Sequence, residues 1–160
     1  DAALFAKIAG YADDAALLAD IDSVVATCCA IKARIVEQDE FDTGLRMLLN
    51  FGHTLGHAVE QHFGYSCFTH GEGVAIGMYQ LTKRTEELGM TAKGSAERIK
   101  SVLEKYNLPL TAGVEKAQLL DTMARDKKKN GNSITIIILQ QIGEGVLQKV
   151  DWQEVPKYLG

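Results

Sequence analysis

Hydrophobic residues recur at helical spacing through most of this chain, whereas the alternation typical of strands is nearly absent before residue 134. This pattern predicts helices near residues 2–9, 14–38, 42–63, 71–88, 95–105, 115–127 and 151–158. Residues 133–139 form a β-branched run, and glycines separate it from a second apolar segment, which predicts a small β-hairpin. The sequence therefore predicts a mainly α, multi-helix fold with a hairpin near its C-terminus.

The length and composition are those of one globular domain. The chain has 160 residues, 46% of them hydrophobic and 24% charged, and neither an internal repeat nor a Pro-rich linker divides it. Its formal charge of -4 lacks the basic excess that favours nucleic acid or an anionic membrane as a partner. No apolar run approaches the ~20 residues that span a bilayer, and the first residues do not resemble a signal peptide. These features predict a single cytoplasmic domain, residues 1–160, whose partners are small molecules or proteins.

Four polar side chains fall on one face of the predicted helix 42–63, at positions i, i+4, i+7 and i+11. They are Arg46, Asn50, His53 and His57. The other faces of this helix carry leucine, phenylalanine and valine, so the polar face must be satisfied by water, a cleft or a metal. We therefore expect the four residues to line one site.

Histidines one helical turn apart can bind the same metal ion. His53 and His57 have this spacing, which also occurs by chance among core or surface histidines that bind nothing. A third histidine, His70, begins the next predicted helix after a loop that can fold back onto His53, and it brings Glu72 with it. His70 shifts the balance toward a metal site, because catalytic metals commonly have three protein ligands. Cys67 is a weaker ligand candidate, since no second cysteine lies near it.

Gly52 and Gly56 stand inside the predicted helix beside the histidines. Each glycine costs about 1 kcal/mol relative to alanine in a helix interior, so the pair requires a compensating contact. That contact is the close approach either of another backbone, as in a tight helix crossing, or of a bulky ligand. The sequence leaves both alternatives open.

Basic residues supply a second set of candidates. Lys32 lies in the apolar stretch CCAIKARIV. Its aliphatic side chain must therefore extend either to the surface or into a polar cleft, where the ammonium group is solvated or paired. Lys127 and Lys128 belong to the basic run RDKKKNGN, which suits a bound phosphate or carboxylate and equally suits a solvated turn. Position alone does not decide between these roles.

Three motifs, in this order, resemble the C-terminal domain of 3-dehydroquinate synthase. They are GLRMLLNFGHTLGHAVE, then HGEGVAIGM, then RDKK followed by a short hairpin. The preceding stretch SVVATCCAIKARIVEQDE is similar to the family's long helix, which carries a substrate lysine. The resemblance covers essentially the whole chain, and the combined motif is far more specific than any of its parts.

The resemblance implies an enzyme of the shikimate pathway. Its substrate is a phosphorylated sugar acid, 3-deoxy-arabino-heptulosonate 7-phosphate, and its products are 3-dehydroquinate and phosphate. Such an enzyme is a carbon–oxygen lyase that uses NAD and regenerates it within each turnover. Members of the family pair as homodimers.

The resemblance also implies a role for each candidate residue. His53 and His70 become ligands of Zn²⁺ or Co²⁺, with a glutamate from an earlier segment as the third ligand. His57 becomes a substrate-binding or proton-relay residue. The remaining catalytic and substrate-binding candidates hold the hydroxyl, carboxylate or phosphate groups of the substrate: Lys32, Arg46, Asn50 and one of Lys127 and Lys128.

Two parts of the family's machinery are missing from this sequence. No glycine-rich dinucleotide fingerprint follows a strand, and the family's NAD-binding α/β domain precedes the matching segment. The third metal ligand is likewise expected upstream of Asp1. We therefore expect a separated C-terminal domain that has no synthase activity alone.

Two alternatives stay open. The first is another enzyme of the same superfamily, either a sugar-phosphate cyclase or a metal-dependent polyol dehydrogenase, which shares the histidine helix. The abundance of anion-holding residues favours the synthase over a dehydrogenase. The second is a noncatalytic helical module whose histidines are structural.

Overall fold

The computed structural model describes residues 1–42, 44–130 and 132–159, with nothing described of the side chains of residues 125–130. The α-helices are α1 (Ala2–Gly10), α2 (Asp14–Ala19), α3 (Ile21–Gln38), α4 (His53–His62), α5 (His70–Glu87), α6 (Ser95–Lys105) and α7 (Lys116–Asn130). Two strands, β1 (Ser133–Gln141) and β2 (Glu144–Asp151), follow α7, and the 3-10 helices span Leu45–Asn50 and Val155–Tyr158.

The mainly helical fold with a C-terminal hairpin is confirmed. The strands β1 and β2 pair antiparallel, with Ile138 opposite Val146. Ile138 faces a core to which α4 and α5 contribute Leu55 and Leu81. The hairpin thus covers the same helix pair that carries the histidines, because its β-branched side chains bury their apolar surface against it. No described helix is long and apolar enough to cross a membrane.

Two predicted helices differ from the structure at their boundaries. The predicted helix 14–38 is interrupted at Asp20, where the carboxylate accepts hydrogen bonds from Lys7 Nζ at 2.8 Å and from the Tyr11 hydroxyl at 2.5 Å. These contacts tie the break to α1. The predicted helix 151–158 is a 3-10 helix from Val155 only, because residue 151 still belongs to strand β2. The hydrophobic period of the sequence indicates neither the break at Asp20 nor the extension of strand β2 to residue 151.

The predicted continuous helix 42–63 is wrong. Residues Leu45–Asn50 form a 3-10 helix, and Gly52 adopts the left-handed conformation with φ 83° before α4 begins at His53. Glycine tolerates this conformation because it lacks a Cβ atom. The break removes the shared helical face that was predicted for Arg46, Asn50 and the two histidines, since that face requires one unbroken helix.

Helices α4 and α5 cross at a contact made of glycines from both helices and from the residue before α4. They are Gly52, Gly56, Gly73 and Gly77. A Cβ atom added at Gly56 would lie 2.9 Å from the carbonyl carbon of Gly73, which is closer than real Cβ contacts allow. The compensating contact for Gly56 is therefore another backbone, as in a tight helix crossing. This crossing brings the first turns of α4 and α5 together.

The start of α6 is held by Glu86 of α5. Its two carboxylate oxygens accept hydrogen bonds from the backbone N–H groups of Gly94 at 2.8 Å and Ala96 at 2.9 Å. The N–H groups of Ala96 and Gly94 lower the pKa of Glu86 below its ordinary value of 4.5. The ionised carboxylate thus satisfies backbone donors that the helix itself leaves unpaired.

We expect Glu86→Gln to lower the free energy of unfolding by about 1 kcal/mol at pH 7, because charge-assisted hydrogen bonds become neutral ones. The pKa of Glu86 is lower in the folded state, so its contribution is present above the unfolded-state value and is lost as the pH falls through the folded one. Urea denaturation at pH 7 and pH 3 measures both effects. Glu104→Gln, at an exposed position of α6, is the control. An equal loss in the two variants would contradict the prediction.

Candidate metal centre

The glycine crossing brings three histidine rings into one cluster. His53 and His57 lie on α4, and His70 is the first residue of α5. The ring centroids of His53 and His70 are 5.0 Å apart, those of His53 and His57 are 5.4 Å apart, and those of His57 and His70 are 5.7 Å apart. His70 therefore does fold back onto His53.

The position of His70 is set by a capping box at the start of α5. The Thr69 backbone N–H donates to Glu72 Oε2 at 2.8 Å, and the Glu72 N–H donates to Thr69 Oγ1 at 3.3 Å. The Thr69 backbone N–H, and after it the Thr69 hydroxyl, which donates to the same Glu72 oxygen at 2.8 Å, lower the pKa of the Glu72 carboxyl. Glu72 thus stabilises the helix end that presents His70.

A buried glutamate lies beside the cluster and was not among the sequence candidates. Glu60 is only 6% exposed, and its Oε1 and Oε2 atoms lie 3.2 Å and 3.3 Å from Nδ1 of His70. One signal for it was present: on α4, Glu60 follows His57 by three positions and His53 by seven, which places all three on one face. A buried acidic residue is unusual in a protein core unless it is paired.

His53 lies half-buried at the start of α4. Its Nδ1 atom is 3.4 Å from the carbonyl oxygen of Phe51. Burial is the main cause that lowers the pKa of His53, the nearby His70 and His57 act in the same direction, and the Phe51 carbonyl and Glu60 oppose the shift. His53 is therefore a neutral imidazole at pH 7, which is the form that binds a metal.

The cluster has the donor set of a divalent transition metal. Imidazole nitrogens and carboxylates are the ligands of catalytic Zn²⁺ and suit Co²⁺ as well. The Nδ1 atoms of His53 and His70 each face an oxygen, which leaves Nε2 of both rings available. Ligand atoms of His57, Glu60 and His70 also lie within 4.8 Å of one another. Among the described residues, His57, Glu60 and His70 thus form one group of three that fits a metal, and His53, whose ring centroid lies 5.0 Å from that of His70, is not a member of this group.

The other described site candidates lie on elements other than α4. Lys32 is exposed on α3, and Asn50 is exposed at the end of the first 3-10 helix. Arg46 donates from Nη1 to the carbonyl oxygen of Glu40 at 2.6 Å. The side chains of Lys127 and Lys128 lie outside the described residues. The structure therefore brings the histidines together, and it does not join Arg46 to them in a single helical row.

Two further candidates lie outside the cluster. Cys67 is exposed in the loop before α5, with its Sγ atom 3.8 Å from Ser66 Oγ, and it does not belong to the metal-binding group found among the described residues. His62, near the end of α4, packs against Phe63 at a centroid distance of 5.0 Å. His62 thus provides a histidine of the same helix that lies outside the cluster.

Solved structures share this fold. A 2-epi-5-epi-valiolone synthase from Streptomyces hygroscopicus subsp. jinggangensis, with NAD+ and Zn²⁺ bound, superposes with a TM-score of 0.74 at 21% identity and covers 97% of this chain and 44% of its own. A 2-deoxy-scyllo-inosose synthase in complex with carbaglucose-6-phosphate, NAD+ and Co²⁺ superposes with a TM-score of 0.71 at 19% identity, over 87% of this chain and 40% of its own. At these identities the likeness shows the fold alone.

Sequence comparison is more specific. A family model described as 3-dehydroquinate synthase C-terminal matches residues 1–129. The 3-dehydroquinate synthase of Clostridium acetobutylicum is 44% identical over 160 residues, and that of Enterococcus faecalis is 37% identical over 160 residues. Each alignment covers 99% of this chain and 45% of the relative, so the chain spans about half the length of the relatives it matches. The histidine cluster thus lies in a chain that belongs to the 3-dehydroquinate synthase family.

Proposed function

We propose that this chain is the metal- and substrate-binding domain of a 3-dehydroquinate synthase. The parent enzyme would convert 3-deoxy-arabino-heptulosonate 7-phosphate to 3-dehydroquinate and phosphate, as a carbon–oxygen lyase. The observation that carries the proposal is the convergence of His53, His57 and His70 at the α4–α5 crossing, in a chain 44% identical to a synthase.

The proposed cofactors are a divalent metal and NAD. The solved relatives contain NAD+ with Zn²⁺ or Co²⁺, and we infer that His53 and His70 hold such a metal here. The sequence lacks a glycine-rich dinucleotide fingerprint, so we assign NAD binding to a part of the relatives that this chain does not cover. When bound, the two cofactors supply Lewis-acid polarisation of a substrate hydroxyl and reversible hydride transfer.

The chain's own residues would bind the substrate and move protons. His57 is exposed beside both other rings, so its imidazole can take up and return a proton of a substrate bound at the cluster. Lys32 and Asn50 are exposed, so their side chains are free to contact a ligand from solvent. Arg46 would exchange its bond to the Glu40 carbonyl for a substrate anion, to which a guanidinium binds more strongly. Lys127 or Lys128 completes this proposed anion site.

A second candidate function is that of another sugar-phosphate cyclase. The two solved structures described above belong to this group, but they are only 21% and 19% identical to the chain. The curated synthases are 37% to 47% identical. The higher identity favours a phosphorylated sugar acid over a sugar phosphate without a carboxylate as the substrate.

A chimeric enzyme tests the proposal. Residues 1–160 replace the matching segment of the C. acetobutylicum synthase, and phosphate release and 3-dehydroquinate are measured with substrate, NAD+ and Zn²⁺. We expect product from the chimera and none from the chain alone, because the NAD site is assigned elsewhere. In the chimera, His57→Ala should lower kcat by about 10²–10⁴-fold, the usual contribution of a proton-transfer residue.

His62→Ala is the matched control, and it should leave the rate of the chimera unchanged. A folded, metal-loaded chimera that makes no 3-dehydroquinate would refute the proposal. Turnover of a sugar phosphate without the carboxylate, in place of the sugar acid, would support the cyclase instead. Product from the chain alone would refute the expected inactivity of this segment.

A further inference from the structure

The buried carboxylate of Glu60 faces a single nitrogen of the histidine cluster. Both of its oxygens lie within 3.3 Å of Nδ1 of His70, while the side chain of His70 itself is 57% exposed. An ionised carboxylate only accepts hydrogen bonds, so Nδ1 must carry the proton in this contact. In the neutral form of the ring, the other nitrogen, Nε2, is then the one with a free lone pair.

We propose that Glu60 is a positioning residue that fixes His70 in the Nδ1–H tautomer and holds its Nε2 atom for metal binding. The inference rests on the proposed function, in which His70 is a metal ligand. Histidine ligands of metals commonly donate their second ring N–H to a carboxylate or a carbonyl, which fixes the tautomer and the ring orientation. For His53, the Phe51 carbonyl lies in the corresponding place, at 3.4 Å from Nδ1.

The helix crossing creates the buried position of Glu60. Across the interface stands Gly73, where an added Cβ atom would lie 3.2 Å from Glu60 Cγ and 3.6 Å from Cδ. A larger residue at position 73 would therefore crowd the carboxylate. Because the Glu60 carboxylate is buried, water competes less for its bond to His70 than for a fully exposed bond. Gly73 thus leaves room for the Glu60 side chain beside His70, in addition to allowing the two helices to pack closely.

A direct metal ligand is the competing role for Glu60, since its carboxylate belongs to the group with His57 and His70. The two roles make different demands on the side chain. Positioning requires a hydrogen-bond acceptor near Nδ1, and an amide oxygen meets that demand. Direct binding by a catalytic metal requires the charged carboxylate oxygen, which glutamine lacks.

Two variants of the 160-residue chain separate these roles: Glu60→Gln and Glu60→Leu. Long-range ¹H–¹⁵N NMR spectra of the metal-free chain report the tautomer of His70, and calorimetric titration with Zn²⁺ reports the affinity. We expect the Nδ1–H tautomer in the wild type and in Glu60→Gln, with similar zinc affinities. In Glu60→Leu we expect loss of that tautomer preference and an affinity lower by about 10–100-fold. Urea denaturation verifies that both variants fold, and Glu104→Leu, on the exposed surface of α6, is the control.

Each alternative outcome overturns the inference in a recognisable way. If Glu60→Leu folds and keeps both the tautomer and the zinc affinity, Glu60 does not position His70. If Glu60→Gln loses as much affinity as His70→Ala, Glu60 is itself a ligand. If the wild-type chain and the active chimera bind no zinc, the proposed metal centre fails and this inference fails with it. Failure of the metal centre is thus distinguishable from failure of the positioning role alone, because zinc binding persists in the latter case.

Discussion

Gly77→Ala is expected to break the crossing of α4 and α5. The new Cβ atom would lie 2.0 Å from the carbonyl oxygen of Gly52 and 3.0 Å from the backbone nitrogen of Gly56. Neither atom can rotate away as a side chain would, so the two helices must separate. Overpacking of a core typically costs about 1–3 kcal/mol, and we expect the upper end or more because the contact is with backbone.

Gly71→Ala is the matched control for this prediction. Gly71 lies in the same helix, but an added Cβ atom there would have nothing within 4 Å. Alanine is favoured over glycine in a helix by roughly 0.5–1 kcal/mol, so this variant should be as stable as the wild type or slightly more stable. Urea denaturation followed by circular dichroism measures both variants. Equal stability of Gly77→Ala and Gly71→Ala would show that the helices do not cross at this contact.

His53→Ala and His70→Ala are each expected to lower zinc affinity by more than ~100-fold, because loss of a ligand should exceed the 10–100-fold cost of losing its hydrogen-bonded support. The two rings come from different helices, with centroids 5.0 Å apart, so neither can substitute for the other. Burial lowers the pKa of His53, and its neutral form is available for binding throughout the neutral range. Zinc affinity should fall at acidic pH, where protons compete for the imidazoles.

Calorimetry and metal analysis of the chain and of the chimera measure this effect. His62→Ala is the control, because His62 packs against Phe63 at the other end of α4. We expect His62→Ala to bind zinc like the wild type. A His53→Ala chimera that retains its metal and its activity would support the noncatalytic helical module.

Secondary structure was predictable where one pattern, either helical spacing of apolar residues or a β-branched run bounded by turn residues, extends through the whole element. The helix at 71–88 and the hairpin from residue 133 are examples, and both are confirmed by α5 and β1. The segment 42–63 was not, because its apolar spacing continues through Gly52 although the backbone turns there with φ 83°. A hydrophobic period records which residues are apolar, and it is insensitive to one residue in the left-handed conformation.

The candidate site was predictable to different extents. The proximity of His53 and His70 followed from a spacing and a plausible loop, whereas Glu60 was missed. Glu60 is buried because it packs against Gly73 of the other helix. The sequence around Glu60 does not indicate which residue lies opposite it where the two helices cross. Arg46 was placed with the histidines only because one helix was assumed, and the break at Gly52 removes that reason.

By itself, the sequence determined the helical class of the fold, the hairpin, the positions of most helices and the set of nitrogen donors available to a metal. These follow from periodicity, turn residues and side-chain chemistry, which are local properties. The tertiary structure alone decided which nitrogens face oxygen atoms, which carboxylate is buried beside them and how closely α4 approaches α5. Those features depend on backbone contacts such as Gly52 with Gly77, which join residues far apart along the chain and arise only when the helices pack.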